Sequence, residues 1–143
     1  MEEKKSLLED IESKIESWFT EENIGFEKIE PGFWGLSFTV KEREEEYPLG
    51  IVLIGDEPTS VKLLVELGGV PIGNQWAFFR KMLEMNFSEV LTGSFSINES
   101  NNKVYFIERI PILSLTKEQL LHSLDSVIFS VSELKPKLSG YII

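Results

Sequence analysis

The sequence contains few side chains that could carry out chemistry. It has no cysteine and one histidine, His122, which excludes thiol nucleophiles, disulfides, thiolate zinc sites and a histidine metal cage within one chain. His122 shares one face of a predicted helix with Glu118 and Asp125, but a catalytic site would also need a nucleophile and a pocket. We therefore interpret His122 as a surface histidine beside carboxylates, and we expect no metal and no other cofactor.

Two carboxylates are embedded in apolar strand segments, Glu66 and Glu108. Acid–base chemistry needs a carboxylate in a dry pocket, and either residue could face a groove, although the solvent side of a strand is the more common position. Segment Gly68–Gly73 has the glycine spacing of a phosphate loop, but Asn74 and Gln75 stand where Lys and Ser or Thr are required. We predict no enzyme. The alternative is a small-molecule-binding or enzymatic domain with a pocket near Gly68–Gly73 and Glu66.

Apolar periodicity predicts the elements that would position these residues. In segment 7–19 the apolar residues recur at helical spacing, with Ser6 and Glu9 as a capping box and Glu12 among the polar residues. Residues 33–40 alternate between apolar side chains and small or polar ones, which is typical of a half-buried antiparallel strand. Both helices and strands are therefore expected.

The remaining elements follow from the same patterns. The predicted strands are 25–30, 33–40, 47–54, 61–67, 92–97 and 103–110. Later helices are predicted over about 74–87 and from the Thr116–Gln119 capping box to Pro136. Pro31-Gly32 fits a type II turn, and the wholly charged segment 41–46 is expected to be a solvated hairpin loop. The order α-ββββ-α-ββ-α and the length of 143 residues favour a single α+β domain over residues 1–143.

The charge balance restricts the partners. With 14 basic and 24 acidic residues the net charge is −10, which repels the phosphates of nucleic acids and anionic membranes. A basic or amphipathic protein segment is the partner that this charge attracts. The acidic, amphipathic N-terminus is no signal peptide, and the longest apolar stretch, around 49–54, is too short to cross a bilayer. We expect a cytoplasmic protein.

The predicted second helix has an unusually wide apolar arc of roughly 200°, whereas covering one core needs little more than about 100°. One apolar stripe comprises Trp76, Phe79, Leu83 and Phe87. The other comprises Phe78, Met82 and Met85. We expect the first stripe to pack on the chain's own sheet and the second to meet a symmetry-related copy in a homodimer. The alternative is a helix embedded under the first helix of the same chain.

Phe129 lies on the polar face of the predicted last helix, at about the same angle as Glu118 and His122. We expect it to contact another molecule, either in the assembly or as a bound client. The alternative is a lone exposed aromatic side chain, which is ordinary on protein surfaces.

Several apolar motifs carry a resemblance to a known family. They are Leu83-Glu84-Met85-Asn86, Gly93-Ser94-Phe95-Ser96-Ile97, Val104-Tyr105-Phe106-Ile107-Glu108-Arg109, Pro111 and Leu115-Thr116-Lys117-Glu118-Gln119-Leu120. From about Trp76 to Val131 the chain resembles the YbjN-like family of bacterial sensory transduction regulators, and it is similar to the class I type III secretion chaperones that share its fold. The N-terminal half matches in element order.

This resemblance implies a secretion-chaperone-like α+β fold with a curved antiparallel sheet, often dimeric. It also implies small, acidic, non-enzymatic proteins that bind extended segments of a protein partner. Together with the charge and the wide apolar arc, it leads us to expect a chaperone-like or regulatory module that holds a peptide or protein client. Two physical routes are available for such binding, namely apolar pockets on the sheet and helices, or strand addition at a sheet edge.

Overall fold

The computed structural model describes residues 6–141. Its helices are α1 (Leu7–Glu21), α2 (Gln75–Ser88) and α3 (Lys117–Leu134). Its strands are β1 (Glu27–Glu30), β2 (Phe33–Val40), β3 (Glu45–Ile54), β4 (Ser60–Gly69), β5 (Ser94–Asn98) and β6 (Lys103–Pro111). Short 3₁₀ turns cover Lys41–Arg43, Ile112–Ser114 and Lys135–Leu138. The predicted order α-ββββ-α-ββ-α and the α+β class are confirmed. Within residues 6–141, no helix has the length and apolar character that crossing a membrane requires.

All six strands form one antiparallel sheet in the order β1-β2-β3-β4-β6-β5. The first four strands follow one another as a meander. The last hairpin then joins the sheet through β6, which pairs with β4, so β5 becomes an edge strand. In this register Lys62 lies opposite Arg109 and Leu64 lies opposite Ile107.

The hydrophobic core lies on one face of the sheet. Alternate residues of the central strands are buried there, with Leu63 in β4 and Phe106 in β6 both 0% exposed. Residues from all three helices belong to the same core, and Phe19 of α1 meets Trp34 of β2 edge-on with ring centroids 6.4 Å apart. The alternate strand residues that point to the opposite face, such as Leu64, are half-buried or exposed. We call this opposite side the open face.

The charged segment 41–46 is more ordered than predicted, because β3 already begins at Glu45. The Glu45 carboxylate accepts hydrogen bonds from the Tyr47 hydroxyl and from Arg43 Nε, the latter at 2.6 Å. These two bonds lower the pKa of Glu45 to about 2. Lys135, after α3, also reaches this carboxylate at 3.4 Å, so paired charges hold the start of β3 against the end of α3.

Glu12 fastens α1 to the β1–β2 turn. Gly32 has φ +75°, which fits the predicted type II turn, and its N–H donates to Glu12 Oε2 at 2.8 Å. Lys28 Nζ lies 3.0 Å from the same oxygen. Although the sequence places Glu12 among the polar residues of α1, only 6% of it is exposed. The prediction of a solvated position was wrong because the turn packs over this carboxylate.

Asn86 of α2 closes part of the β5 edge. Its Oδ1 accepts from the Phe95 N–H at 2.8 Å, and its Nδ2 donates to the Phe95 carbonyl at 3.1 Å. The amide side chain therefore occupies backbone groups that an added strand would use. Gly93 precedes this strand with φ +80°, and a Cβ there would lie 2.6 Å from the Ile107 carbonyl oxygen, so glycine is required.

We predict that Glu12→Ala lowers the free energy of unfolding by about 1–3 kcal/mol, because the buried Gly32 N–H loses its acceptor. Lys28→Ala is the matched control, since it breaks the same ion pair at a side chain that is 41% exposed. Its expected cost is below about 1 kcal/mol. Urea denaturation of both variants measures the difference. Equal losses would mean that the ion pair, and not the turn hydrogen bond, holds α1.

We predict that Asn86→Ala costs about 1–3 kcal/mol, because two hydrogen bonds to the β5 backbone are lost. The Phe95 amide should then exchange its hydrogen faster. Asn86→Asp retains the acceptor for the Phe95 N–H but places a carboxylate oxygen against the Phe95 carbonyl oxygen, so we expect a loss no smaller than that of Asn86→Ala. Denaturation and amide exchange followed by NMR test this, and an unchanged Phe95 exchange rate in Asn86→Ala would contradict the edge-closing role.

Candidate functional site

The two apolar stripes of α2 face the opposite way from the sequence prediction. Phe78, Met82 and Met85, which were expected to meet a second copy, are 0%, 5% and 1% exposed. They belong to the chain's own core, where the Phe78 ring lies 5.9 Å from that of Tyr141. Trp76, Leu83 and Phe87 of the other stripe are 71%, 68% and 93% exposed. The assignment of Phe78, Met82 and Met85 as interface residues is therefore corrected.

The reversal has a physical reason. Both stripes are apolar enough to cover a core, so the side that faces inward is decided by what α2 packs against. Its neighbours include β5 and the C-terminal 3₁₀ turn. The flexible methionine side chains of one stripe can adapt to these neighbours, whereas the prediction placed the stripe that carries tryptophan against the core. Phe79 of that stripe is half-buried against Phe78.

The exposed stripe forms a defined surface, which we call the α2 outer patch: Trp76, Leu83 and Phe87. These residues lie within about 40° around the helix axis and span about 16 Å along it. The Arg80 guanidinium lies 5.2 Å from the centre of the Trp76 ring, and its Nε lies 2.9 Å from a Glu84 carboxylate oxygen. The patch is thus a row of large apolar side chains with one ion pair beside it.

Phe129 of α3 is 53% exposed and lines a cavity of about 280 Å³. Leu91, which follows α2 and is 89% exposed, lines the same cavity, together with His122. Helical periodicity places Phe129 on a polar face and does not single out Leu91. Their proximity depends on how the α2–β5 connection packs beside α3, which periodicity along one helix does not reveal. Whether Phe129 contacts another molecule stays a prediction.

A second apolar surface lies between α3 and β2. Leu36 and Phe38 of β2 are only half-buried, as are Leu121 and Ile128 of α3. All four line a cavity of about 250 Å³, with Asp125 among the lining residues. We call it the α3–β2 groove. Here the core face of the sheet is incompletely covered by the helices.

The two strand carboxylates have different positions. Glu66 lies exposed on the open face, as expected, where it pairs with Lys103 at 3.6 Å. Glu108 faces the core and is 6% exposed, so the expected solvent position was wrong for it. Ser123 Oγ donates to Glu108 Oε1 at 3.4 Å, and Glu108 Oε2 has no hydrogen-bond partner among the described residues. Burial raises the pKa of the Glu108 carboxyl.

The glycine-rich segment has a structural position. Gly68 and Gly69 end β4, and residues 70–74 connect it to α2. Residues 68–73 line neither the cavity beside Phe129 nor the α3–β2 groove. The segment therefore forms the connection between β4 and α2.

Solved structures share this fold. YbjN from E. coli matches with a TM-score of 0.67 at 13% identity, over 92% of this chain and 94% of that chain. A chain of the ExsC–ExsE complex matches with a TM-score of 0.63 at 15% identity, over 91% and 96%. A chain of the heterodimeric ExoU–SpcU complex from the type III secretion system of Pseudomonas aeruginosa matches with a TM-score of 0.61 at 17% identity, over 85% and 95%.

These matches confirm the resemblance to YbjN and to the type III secretion chaperone fold, and at such low identities they establish the fold alone. The comparison with curated protein sequences gave no match. The family model CesT_Tir_1 matches residues 8–142. Because this match covers nearly the whole chain, the protein belongs to the CesT_Tir_1 family.

Proposed function

We propose that this protein is a non-enzymatic, chaperone-like or regulatory module that holds an apolar segment of a client protein and acts as a homodimer. One observation carries the proposal: the fold leaves two separate apolar surfaces uncovered, the α2 outer patch and the α3–β2 groove. Large contiguous apolar surfaces of this kind mark interaction sites on proteins. Membership of the CesT_Tir_1 family supports a protein-binding role, and two of the similar structures are complexes of two proteins.

The α3–β2 groove is suited to a client segment. Its apolar walls come from two different elements, so it is a depression into which single side chains insert. Asp125 lies exposed beside it. The net charge of −10 attracts a basic or amphipathic segment over long distances, and the apolar walls then retain it.

The α2 outer patch is suited to a second copy of the same chain. A two-fold interface brings the same patch together from both protomers, so each apolar side chain is buried twice. Large aromatic side chains are common anchors at such interfaces. In this arrangement the dimer interface is formed by Trp76, Leu83 and Phe87. The sequence predicted an interface of Phe78, Met82 and Met85 instead. Phe129 remains a proposed contact, with Leu91 beside it.

Two adjacent residues test the dimer. Leu83→Glu should leave the melting temperature of the monomer nearly unchanged but split the dimer, since two like charges would be desolvated near the axis at a cost of about 3–5 kcal/mol. Met82→Glu should instead unfold the chain, because Met82 lies in the core. Light scattering and circular dichroism distinguish these results. A wild-type protein that is monomeric at tens of micromolar would contradict the proposed dimer.

A peptide selection tests client binding. We expect random dodecapeptides panned against the wild-type protein to be enriched in apolar residues. Peptides held in the α3–β2 groove should bind Ile128→Glu at least about tenfold more weakly, a loss of about 1.4 kcal/mol. Ser13→Glu on the exposed face of α1 is the matched control, and Leu121→Ala is a milder groove variant. If no peptide is enriched above background, the proposed function is wrong.

A further inference from the structure

The open face of the sheet contains an unusual pair of cations. Lys62 of β4 and Arg109 of β6 lie directly opposite each other in the ladder. Like charges in this position repel and destabilise the sheet. Among residues 6–141, neither side chain forms an ion pair, although the chain has 24 acidic residues. The fold therefore maintains two adjacent positive charges without internal compensation.

These two cations line a cavity. It measures about 350 Å³, and its other walls include Leu64, Tyr105 and Ile107. Glu99, in the β5–β6 turn, also lines the cavity, but it pairs with neither cation within 4.0 Å. The cavity thus combines two cations with apolar side chains and with the polar residues Ser96, Asn98 and Glu99.

A furrow continues from this cavity across the open face. Gly35 of β2 and Gly50 of β3 lie opposite each other, and the side chains of Ile29 and Leu64 lie close over them, at 3.1 and 3.3 Å from where a Cβ would stand. The furrow has a volume of about 260 Å³ and shares Leu64 and Tyr105 with the cation-lined cavity. Ile29 is among its other lining residues. The furrow and the cavity therefore adjoin at Leu64 and Tyr105, and Glu66, which pairs with Lys103, also lines the furrow.

We propose that the open face binds an extended acidic segment of a partner protein, with one carboxylate between Lys62 and Arg109 and an apolar side chain over Leu64 and Ile107. Lys62 and Leu64 are two residues apart on one strand, about 6.7 Å. An extended ligand places its own i and i+2 side chains at the same spacing, so the recognised pattern is an acidic and an apolar residue separated by one position, in either chain direction. We write this pattern acidic-x-apolar. This inference rests on the proposed protein-binding function, but it uses the opposite face of the sheet from the α3–β2 groove.

Charge complementarity selects this ligand over a nucleic acid. Two cations match one or two carboxylates, whereas a nucleic acid presents a long row of phosphates to a chain of net charge −10. Charges beyond the Debye length, about 8 Å at physiological salt, are largely screened. A short acidic segment therefore interacts mainly with the charges that line the cavity, where Lys62 and Arg109 outnumber Glu99.

Selection from random dodecapeptides tests the proposal. The wild-type protein should enrich the acidic-x-apolar pattern, and Lys62→Glu/Arg109→Glu should lose these peptides and enrich basic ones. Lys14→Glu/Lys41→Glu, which makes the same charge change away from the cavity, should select as wild type does. A synthetic peptide from the wild-type pool should bind Lys62→Gln/Arg109→Gln at least about tenfold more weakly and should lose affinity at high salt.

The outcomes separate this proposal from the function on which it rests. Acidic peptides that bind the Lys62→Gln/Arg109→Gln variant as tightly as wild type would overturn it. A pool that lacks the acidic-x-apolar pattern, and whose peptides lose affinity only for Ile128→Glu, would also overturn it. That result would still support client binding in the α3–β2 groove. A pool with no enriched peptide overturns both proposals.

Discussion

The pairing of β4 with β6 is the contact on which the rest of the architecture depends. It joins the N-terminal meander to the C-terminal hairpin, and it is a long-range pairing that α2 must bridge. Because β6 takes the inner position, β5 is left at the edge, beside α2. The same register places Glu108 on the core face and Arg109 opposite Lys62. The uncovered stripe of α2, the buried carboxylate and the cation pair all follow from this strand order.

Local signals in the sequence predicted the elements well. The N-cap bonds of both predicted capping boxes form, with Ser6 accepting from the Glu9 N–H at 3.2 Å and Thr116 from the Gln119 N–H at 3.1 Å. Alternation also placed the β2 strand with its observed bounds, Phe33–Val40. These features depend on neighbours within a few residues, which is the range that periodicity and capping describe. Element order, antiparallel pairing and fold class were therefore accessible without coordinates.

Features that depend on segments distant in the sequence could not be predicted from the sequence alone. The buried position of Glu12 requires the β1–β2 turn above it, and the burial of Glu108 requires α3 over β6. For α2, the hydrophobic pattern correctly showed two surfaces, but it contained no information on which one faces the core. That choice is made by packing against β5 and Tyr141. Side-chain size is a poor guide here, because fit to the neighbouring surface decides what a core accepts. Exposed aromatic residues then remain where a partner can cover them.

The net charge and the local charge of this protein lead to different conclusions about partners, and both are physically sound. The value of −10 describes the field at a distance, where it favours basic or amphipathic segments. At contact distance the nearest groups dominate, since salt screens the others within about one Debye length. In the cation-lined cavity of the open face, Lys62 and Arg109 outnumber the one lining carboxylate, Glu99. A sequence-wide sum cannot reveal them, because they become neighbours only when β4 pairs with β6. If both proposals hold, the two faces of one sheet select segments of opposite charge, and the chain distinguishes two parts of a client.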